Sequence, residues 1–520
     1  METFLSIHQD DIMGTLSAFD RTIFKGHLTG LFPNGAFARF LAGQGVLLKD
    51  FGQYVKRATE ILKAHAQALA KQADRPFIYL QSATTKASGQ SKEDLARAIA
   101  ARDGITEGLV CVFSVLETCT SFDVRGNHQT HKLEVVRRRR KCLHFYFYYL
   151  DPEFGFMHVR LQSWFPFEIQ IYVNGREWLA RQLDQQGIAY ERYDNKLIPL
   201  TDLAIAQDLA DKFAHRRWPR VLDAFARRIN PHLITLRQAG FGGYYWVTDQ
   251  AEYATDVFFR DRATLDALFP SLVELAMTAF SAEDVMRFLG RKLHGNFQGD
   301  VTTDRKRRPE GRRVKHRMKS NSLKMYNSGN VLRIEATINN PSEFRVLQVI
   351  PTLTETSLRW MPMGKGVANL WRYAQVSLQA NNRYLNALAH AQPKGKAIAE
   401  LDRLCHPHTQ KGKRYSRFNP VASEDGEIFA AVMAGEHALN GFRNRDLQAR
   451  LYLSPPASEV EQRQRSARVT RLIAKLRGHG LIAKVKDSRL YRVTARGACL
   501  MSAALHCRHK EFPRFALAAA

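Results

Sequence analysis

The chain has no run approaching the roughly 20 consecutive apolar residues that a membrane span requires. Its opening segment, METFLSIHQDDIMG, is acidic where an export signal is basic and lacks an apolar stretch, so the cytoplasm is the expected location. Cysteine is scarce: Cys111, Cys119, Cys142, Cys405, Cys499 and Cys507 are scattered and never form C-x-x-C, so neither a zinc ribbon nor a disulfide framework is indicated. No metal is assigned to His406 and His408, or to His506, Cys507 and His509, which stand in basic, loop-like or terminal sequence. The spacing G-x-x-x-x-G-K-[ST] is absent, which argues against an ATP-driven motor. Acidic residues are also few: 50 Asp and Glu stand against 77 Lys and Arg, a formal charge of +27. Such a body repels itself unless a polyanion is near. The basic residues are interleaved with aromatic ones in globular sequence and flank no lone amphipathic anchor. Nucleic acid, not a membrane, is therefore the expected partner.

At 520 residues several domains are expected, with an overall class of α/β and α+β. Residues 17–24, 75–80 and 108–116 read as strands, with helices over 35–73 and 91–104 between them. That β-α-β-α-β order predicts an α/β domain with parallel strands over residues 1–130. A central α+β domain over 131–390 opens with aromatic strands at 141–151, 155–165 and 167–174 in an antiparallel meander. A helix at 176–186, a largely helical section over 200–295, a charged loop and a strand pair around 322–350 follow. Residues 391–423 read as a basic linker and 424–520 as a last domain.

Two basic stretches stand out. Arg137, Arg138, Arg139, Arg140 and Lys141 run into HFYFYY (144–149), where rings that stack bases and cations that track phosphates could form one platform. Alternation allows only half of those rings one face, and either face could be core. Arg305, Lys306, Arg307, Arg308, Arg312, Arg313, Lys315, Arg317 and Lys319 form the charged loop, an electrostatic footprint for a phosphate backbone. Lys365, in Met363-Gly364-Lys365-Gly366, precedes a helix whose start could hold phosphate.

Asp20, Glu117 and Asp123 stand in or beside predicted strands. Such carboxylates could hold Mg²⁺ for phosphodiester hydrolysis, or pair with neighbouring Arg and Lys. Residues 321–340, NSLKMYNSGNVLRIEATINN, read as a hairpin in which Arg333 and Glu335 point to one side. With Lys324 and Tyr326, the pattern K-x-Y, short turn, hydrophobic-R-hydrophobic-E resembles a segment of rolling-circle replication initiators of filamentous phages and some plasmids. The resemblance covers about 30 residues. It implies a tyrosine that attacks a phosphodiester and a metal held by His and carboxylate side chains. Tyr326, Arg333 and Glu335 carry over by position, while the family's His-hydrophobic-His strand is missing. Tyr326 is either that nucleophile or a packed aromatic.

The last hundred residues give the order helix, helix, third helix and short hairpin. They resemble winged helix-turn-helix domains over about 424–505. The resemblance implies a third helix in the major groove, with Arg468, Arg471 and Lys475 as contacts, and Arg489 on the wing. The function expected is nucleic-acid binding of a mobile-element or replication type, with possible metal-dependent strand cleavage. A non-catalytic RNA-binding subunit of a ribonucleoprotein and a winged-helix transcriptional regulator are the alternatives. DNA versus RNA preference and oligomeric state stay open.

Overall fold

A computed structural model describes residues 3–33, 35–81, 90–193, 196–199, 202–291, 299–308, 311–351, 356–389, 401–410, 412–434, 437, 441–485 and 488–508. Its strands are β1 (Ile12–His27), β2 (Phe77–Leu80), β3 (Gly108–Asn127), β4 (Lys132–Asp151), β5 (Gly155–Gln162), β6 (Ile169–Asn174), β7 (Tyr190–Tyr193), β8 (Lys196–Pro199) and β9 (Tyr245–Phe259). Then come β10 (Val301–Arg308), β11 (Gly311–Met318), β12 (Asn321–Ser328), β13 (Val331–Ile338), β14 (Arg345–Pro351) and β15 (Thr356–Pro362). Eleven of them form one sheet in the order β10-β11-β12-β13-β9-β1-β6-β5-β4-β3-β2. Its neighbouring pairs are antiparallel except β2 with β3.

This sheet corrects the expected division at 130. That position lies in the turn between β3 and β4, which pair from Gly108 with Leu150 to Asn127 with Lys132. The expected parallel unit is reduced to β2 and β3: β1 lies between β6 and β9, because its partners come from far along the chain. The supposedly helical section contains β9, the longest strand of the sheet's centre after β1. The supposed charged loop is the hairpin β10–β11. Val314, His316 and Met318 alternate inward there while Arg313, Lys315 and Arg317 face outward, so a strand period is hidden under charge.

One face of the sheet carries the main core. Helices Phe51–Gln72, Leu203–Ala214, Trp218–Ile229, Arg262–Thr278 and Leu370–Leu388 contribute buried residues to it, against Phe145, Phe147, Leu323, Met325, Leu332 and Ile334 of the strands. On the opposite face a smaller core lies under helix Lys92–Arg102, where Ala96 and Ile99 meet Phe113, Tyr146, Tyr148 and Phe156. Burial at roughly 25 cal/mol per Å² of apolar area is the dominant stabilising contribution on both faces. No single helix among the described residues is long and apolar enough to cross a membrane.

The chain's end forms a separate core from helices Ser423–Val432, Asn444–Leu451, Glu459–Gly478 and Ala495–His506 and the short antiparallel pairs β16 (His408–Gln410) with β17 (Lys413–Tyr415) and β18 (Ile482–Lys484) with β19 (Tyr491–Val493). Leu404 and Phe418 are buried in it, so much of the expected linker belongs to this unit. Residues 390–400 lie outside the described residues.

Candidate functional site

The face opposite the main core changes character between β6 and β12. Hairpin β12–β13 turns through Gly329 and Asn330, and the φ of +59° at Gly329 suits a two-residue loop matched to strand twist. Its register pairs Tyr326 with Arg333 and Lys324 with Glu335, while β9 places Asp256 beside Arg333. A side chain at Gly175 would stand 2.5 Å from the Phe19 carbonyl oxygen, so glycine there lets helix Gly175–Gln185 start against β1 and sends Arg176 under the sheet's centre.

The result is a buried charge network. Arg333 donates to Asp20 at 2.7 Å and stands 3.3 Å from Asp256, which Arg176 meets at 3.1 Å from the other side. Lys324 binds Glu335 and lies 3.4 Å from Glu252. The Tyr326 hydroxyl donates to Glu335 at 3.1 Å, and Lys196 on β8 stands 5.4 Å over the Tyr326 ring. A cavity of about 580 Å³ opens onto this network, lined by Asp20, Glu252, Tyr326, Arg333, Glu335 and Lys196 among others. A second, of about 300 Å³, shares Glu252 and is lined by Lys315, Arg317, Lys319, Ser322 and Lys324.

The groups in the first cavity are electrically unequal. Burial pushes Glu252 up to about 7, helped by Glu335 and opposed by Lys324. Burial also works against ionisation of Glu335, but Lys324 and Arg333 hold it below its ordinary value. The Tyr326 phenol is raised well above its ordinary value by burial. The pair therefore offers one carboxylate that stays charged and one that exchanges a proton near neutrality. Lys315 in the second cavity is lowered by burial and by the nearby charges of Lys324, Arg317 and Arg313. An anion entering there would relieve that repulsion.

Of the five residues proposed for chemistry, Asp20, Tyr326 and Glu335 share this cavity, and Glu117 and Asp123 do not. Glu117 accepts from Tyr146 at 2.8 Å and from Arg160 at 3.0 Å and binds Lys92. Burial resists its charge, yet those partners hold it at about 2. Asp123 pairs with Arg138 and, at 3.4 Å, with Arg140. Both carboxylates are thus engaged in ion pairs and line neither cavity. Mg²⁺ does not fit the network as it stands, because Lys324 and Arg333 already occupy the carboxylates. No three His, Cys, Asp or Glu side chains among the described residues are placed to hold a metal ion.

The basic candidates divide similarly. Arg313, Lys315, Arg317 and Lys324 share the face that carries the network, with Lys306 paired across from Arg313. Arg305, Lys306, Arg307 and Arg312 are exposed on the outer hairpin; the Arg308 side chain lies outside the described residues. Lys319 donates to Glu343 at 3.0 Å. The aromatic platform is overturned: Phe145, Phe147 and Tyr149 lie in the main core and Tyr146 and Tyr148 in the smaller one, so neither face is left for bases. Beside it, Arg137 covers the Phe32 ring at 4.6 Å, and Arg139 and Lys141 are exposed. Lys365 is exposed, its carbonyl tied to the Thr248 N–H at 2.8 Å. In the last unit Arg468, Arg471 and Arg489 are exposed, whereas Lys475 is used internally, 3.7 Å from Asp425 and 3.7 Å over the Phe418 ring.

Glu252, Asp256, Arg176 and Lys196 are site residues that sequence reasoning missed. For the first two the signal was present: YWVTDQAEYATDVFF is rich in β-branched and aromatic residues and follows Gly242-Gly243, a strand signature that the helical stretches on either side obscured. Comparison of the chain with protein-family models, with curated proteins and with solved structures found no match.

Proposed function

We propose that the protein binds nucleic acid across the open half of its sheet and cleaves a phosphodiester in the cavity over Asp20, Tyr326 and Glu335. The observation that carries this reading is the meeting of those three residues with Glu252, from four separate strands, beside a cavity lined by lysine and arginine. The basic cavity suits the phosphates flanking the reacting one. The Tyr326 oxygen attacks phosphorus and its proton passes to Glu335, which already accepts its hydrogen bond. The bond from phosphorus to the leaving sugar oxygen breaks, and Glu252, part-protonated near neutrality, returns a proton to that oxygen. The products are a phosphotyrosyl ester and a free hydroxyl end. Lys324 and Lys196 offset charge developing on the phosphoryl oxygens. This extends the resemblance of residues 321–340 to rolling-circle initiators, with lysines in the place of a metal.

The C-terminal unit supplies a second contact in this reading. Its third helix, Glu459–Gly478, presents exposed Arg468 and Arg471 and runs into hairpin β18–β19, the order that a winged helix-turn-helix uses. A non-catalytic reading, with the same network as a structural lock beneath an RNA-binding face, is favoured by one observation: Tyr326 is only 9 % exposed.

Incubation with labelled single-stranded DNA and RNA, resolved on a denaturing gel, tests the proposal. A protein–oligonucleotide adduct that disappears with Tyr326→Phe is expected. Strand binding with no cleavage by wild type, with and without added divalent metal, would overturn catalysis in favour of the RNA-binding reading. Cleavage retained by Tyr326→Phe would remove tyrosine as the nucleophile.

A further inference from the structure

Four of the six tryptophans, Trp164, Trp178, Trp218 and Trp246, are 3 % exposed or less, as their size favours. The other two stand close in sequence: Trp360 on β15 is 62 % exposed and Trp371, opening helix Leu370–Leu388, is 39 % exposed. β14 and β15 form a two-stranded arm of their own, outside the large sheet. Leu347 pairs with Trp360 and Val349 with Leu358, and residues two apart share a face, so these four make one apolar ladder. That ladder is open to solvent, with Val349 at 60 % and Leu358 at 64 %. The base of the arm is fixed: Phe344, Val346 and Met363 are buried in the main core, and the Met363 N–H donates to the Phe344 carbonyl at 2.8 Å.

An exposed ladder on an edge-bearing hairpin invites association, and natural chains bury or charge such surfaces unless they are used. The charge around it selects the occupant. Arg345 donates to the Trp360 carbonyl at 3.2 Å, Arg372 donates to the Leu347 carbonyl at 3.0 Å while covering the Trp371 ring at 4.6 Å, and Arg359 is exposed on β15. Between residues 345 and 373 the sequence has one acid, Glu355, which lies outside the described residues. A second copy would bring the same arginines and another +27 against them. An unpaired nucleic-acid strand brings apolar base faces for the ladder and phosphates for the arginines.

We propose that the β14–β15 arm binds single-stranded nucleic acid, with an unpaired base stacked on Trp360 and its backbone drawn to Arg345, Arg359 and Arg372. This rests on the nucleic-acid-binding reading above and narrows its substrate to a strand with unpaired bases. The arm begins six positions after Asn339, which lines the basic cavity, so a strand leaving that cavity has a place to stack near the end of β13. Stacking makes the contact indifferent to sequence and blind to duplex, whose bases are already stacked.

The test is intrinsic tryptophan fluorescence of the full chain during titration with oligo-dT and with a duplex of equal length. Saturable quenching by the single strand is expected, with affinity falling roughly tenfold or more in Trp360→Ala and much less in Trp360→Phe. Duplex affinity stays unchanged. Unaltered single-strand affinity in both Trp360→Ala and Leu358→Ser would overturn the proposal. So would a loss confined to self-association, read by sedimentation, which would assign the arm to a second copy. Wild type separates the two proposals: single-strand quenching without any cleavage leaves the arm's role standing and removes the nuclease, whereas Tyr326→Phe should quench as wild type does. Wild type that binds no strand at all removes both.

Discussion

On β3–β5, the sheet face away from the main core lies under helix Lys92–Arg102, and its central carboxylate, Glu117, is enclosed by Lys92, Tyr146 and Arg160. On β9–β13 the same face carries Glu252 and Glu335 around Lys324, with Lys315 and Arg317 beyond them at the wall of an open cavity. Both halves are built from β-strands and both contain buried charge. The roofed half matches its charges one against another inside apolar surroundings. The open half leaves Glu252 half-titrated and its lysines repelling one another. On the proposed reading, perturbation of that kind belongs to the ligand-binding surface and saturation of the Glu117 type to a structural ion pair.

Substitutions can break this contrast, beginning with the largest effect. Arg333→Met removes the cation that Asp20 and Asp256 share and leaves Asp256 to Arg176, and loss of one partner from a buried pair costs about 3–5 kcal/mol. Chemical denaturation should show a large fall in midpoint; a loss below about 1 kcal/mol would mean that the network is solvated. Glu117→Gln on the roofed half keeps part of its hydrogen bonding and should cost about 1–2 kcal/mol, with nucleic-acid affinity unchanged. A clear loss of affinity would show that the roofed half also takes part in binding.

Glu252→Gln gives a pH signature. With its folded value raised from 4.5 to about 7, Glu252 favours the folded state most below pH 4.5, and that contribution is lost as pH rises through 7. Wild type should therefore lose stability relative to Glu252→Gln between pH 4.5 and 7, and the two should run parallel above pH 8. A constant difference across that range would show that Glu252 titrates normally.

What could be read in advance follows the distance over which each feature is encoded. Tyr326, Arg333 and Glu335 lie within one hairpin, where Ser328-Gly329-Asn330 sets the turn and alternation sets the faces. Asp20 could be singled out as a charge among apolar residues, but its partner Arg333 is more than 300 positions away and no local pattern fixes that pairing. Glu252 and Asp256 went unnoticed with the strand that holds them. HFYFYY failed as a platform because apolar residues at every position satisfy two cores at once, and a single sequence does not show whether the second face is roofed. In 305–319 charge density pointed to phosphate, yet it concealed the inward residues Val314, His316 and Met318 that make the segment a hairpin.

The smallest structural change gives the most direct test of the central claim. Lys315→Gln with Arg317→Gln, and separately Arg139→Gln with Lys141→Gln, each remove two exposed or half-exposed cations, at a cost to stability within about 0.5 kcal/mol. Affinity for a labelled single strand is then measured against salt. The first pair should lower affinity at least tenfold and reduce the salt slope by about 1 for each phosphate no longer neutralised, while the second should change affinity less than threefold. The reverse order would contradict this and place the nucleic acid on the β3–β4 ribbon.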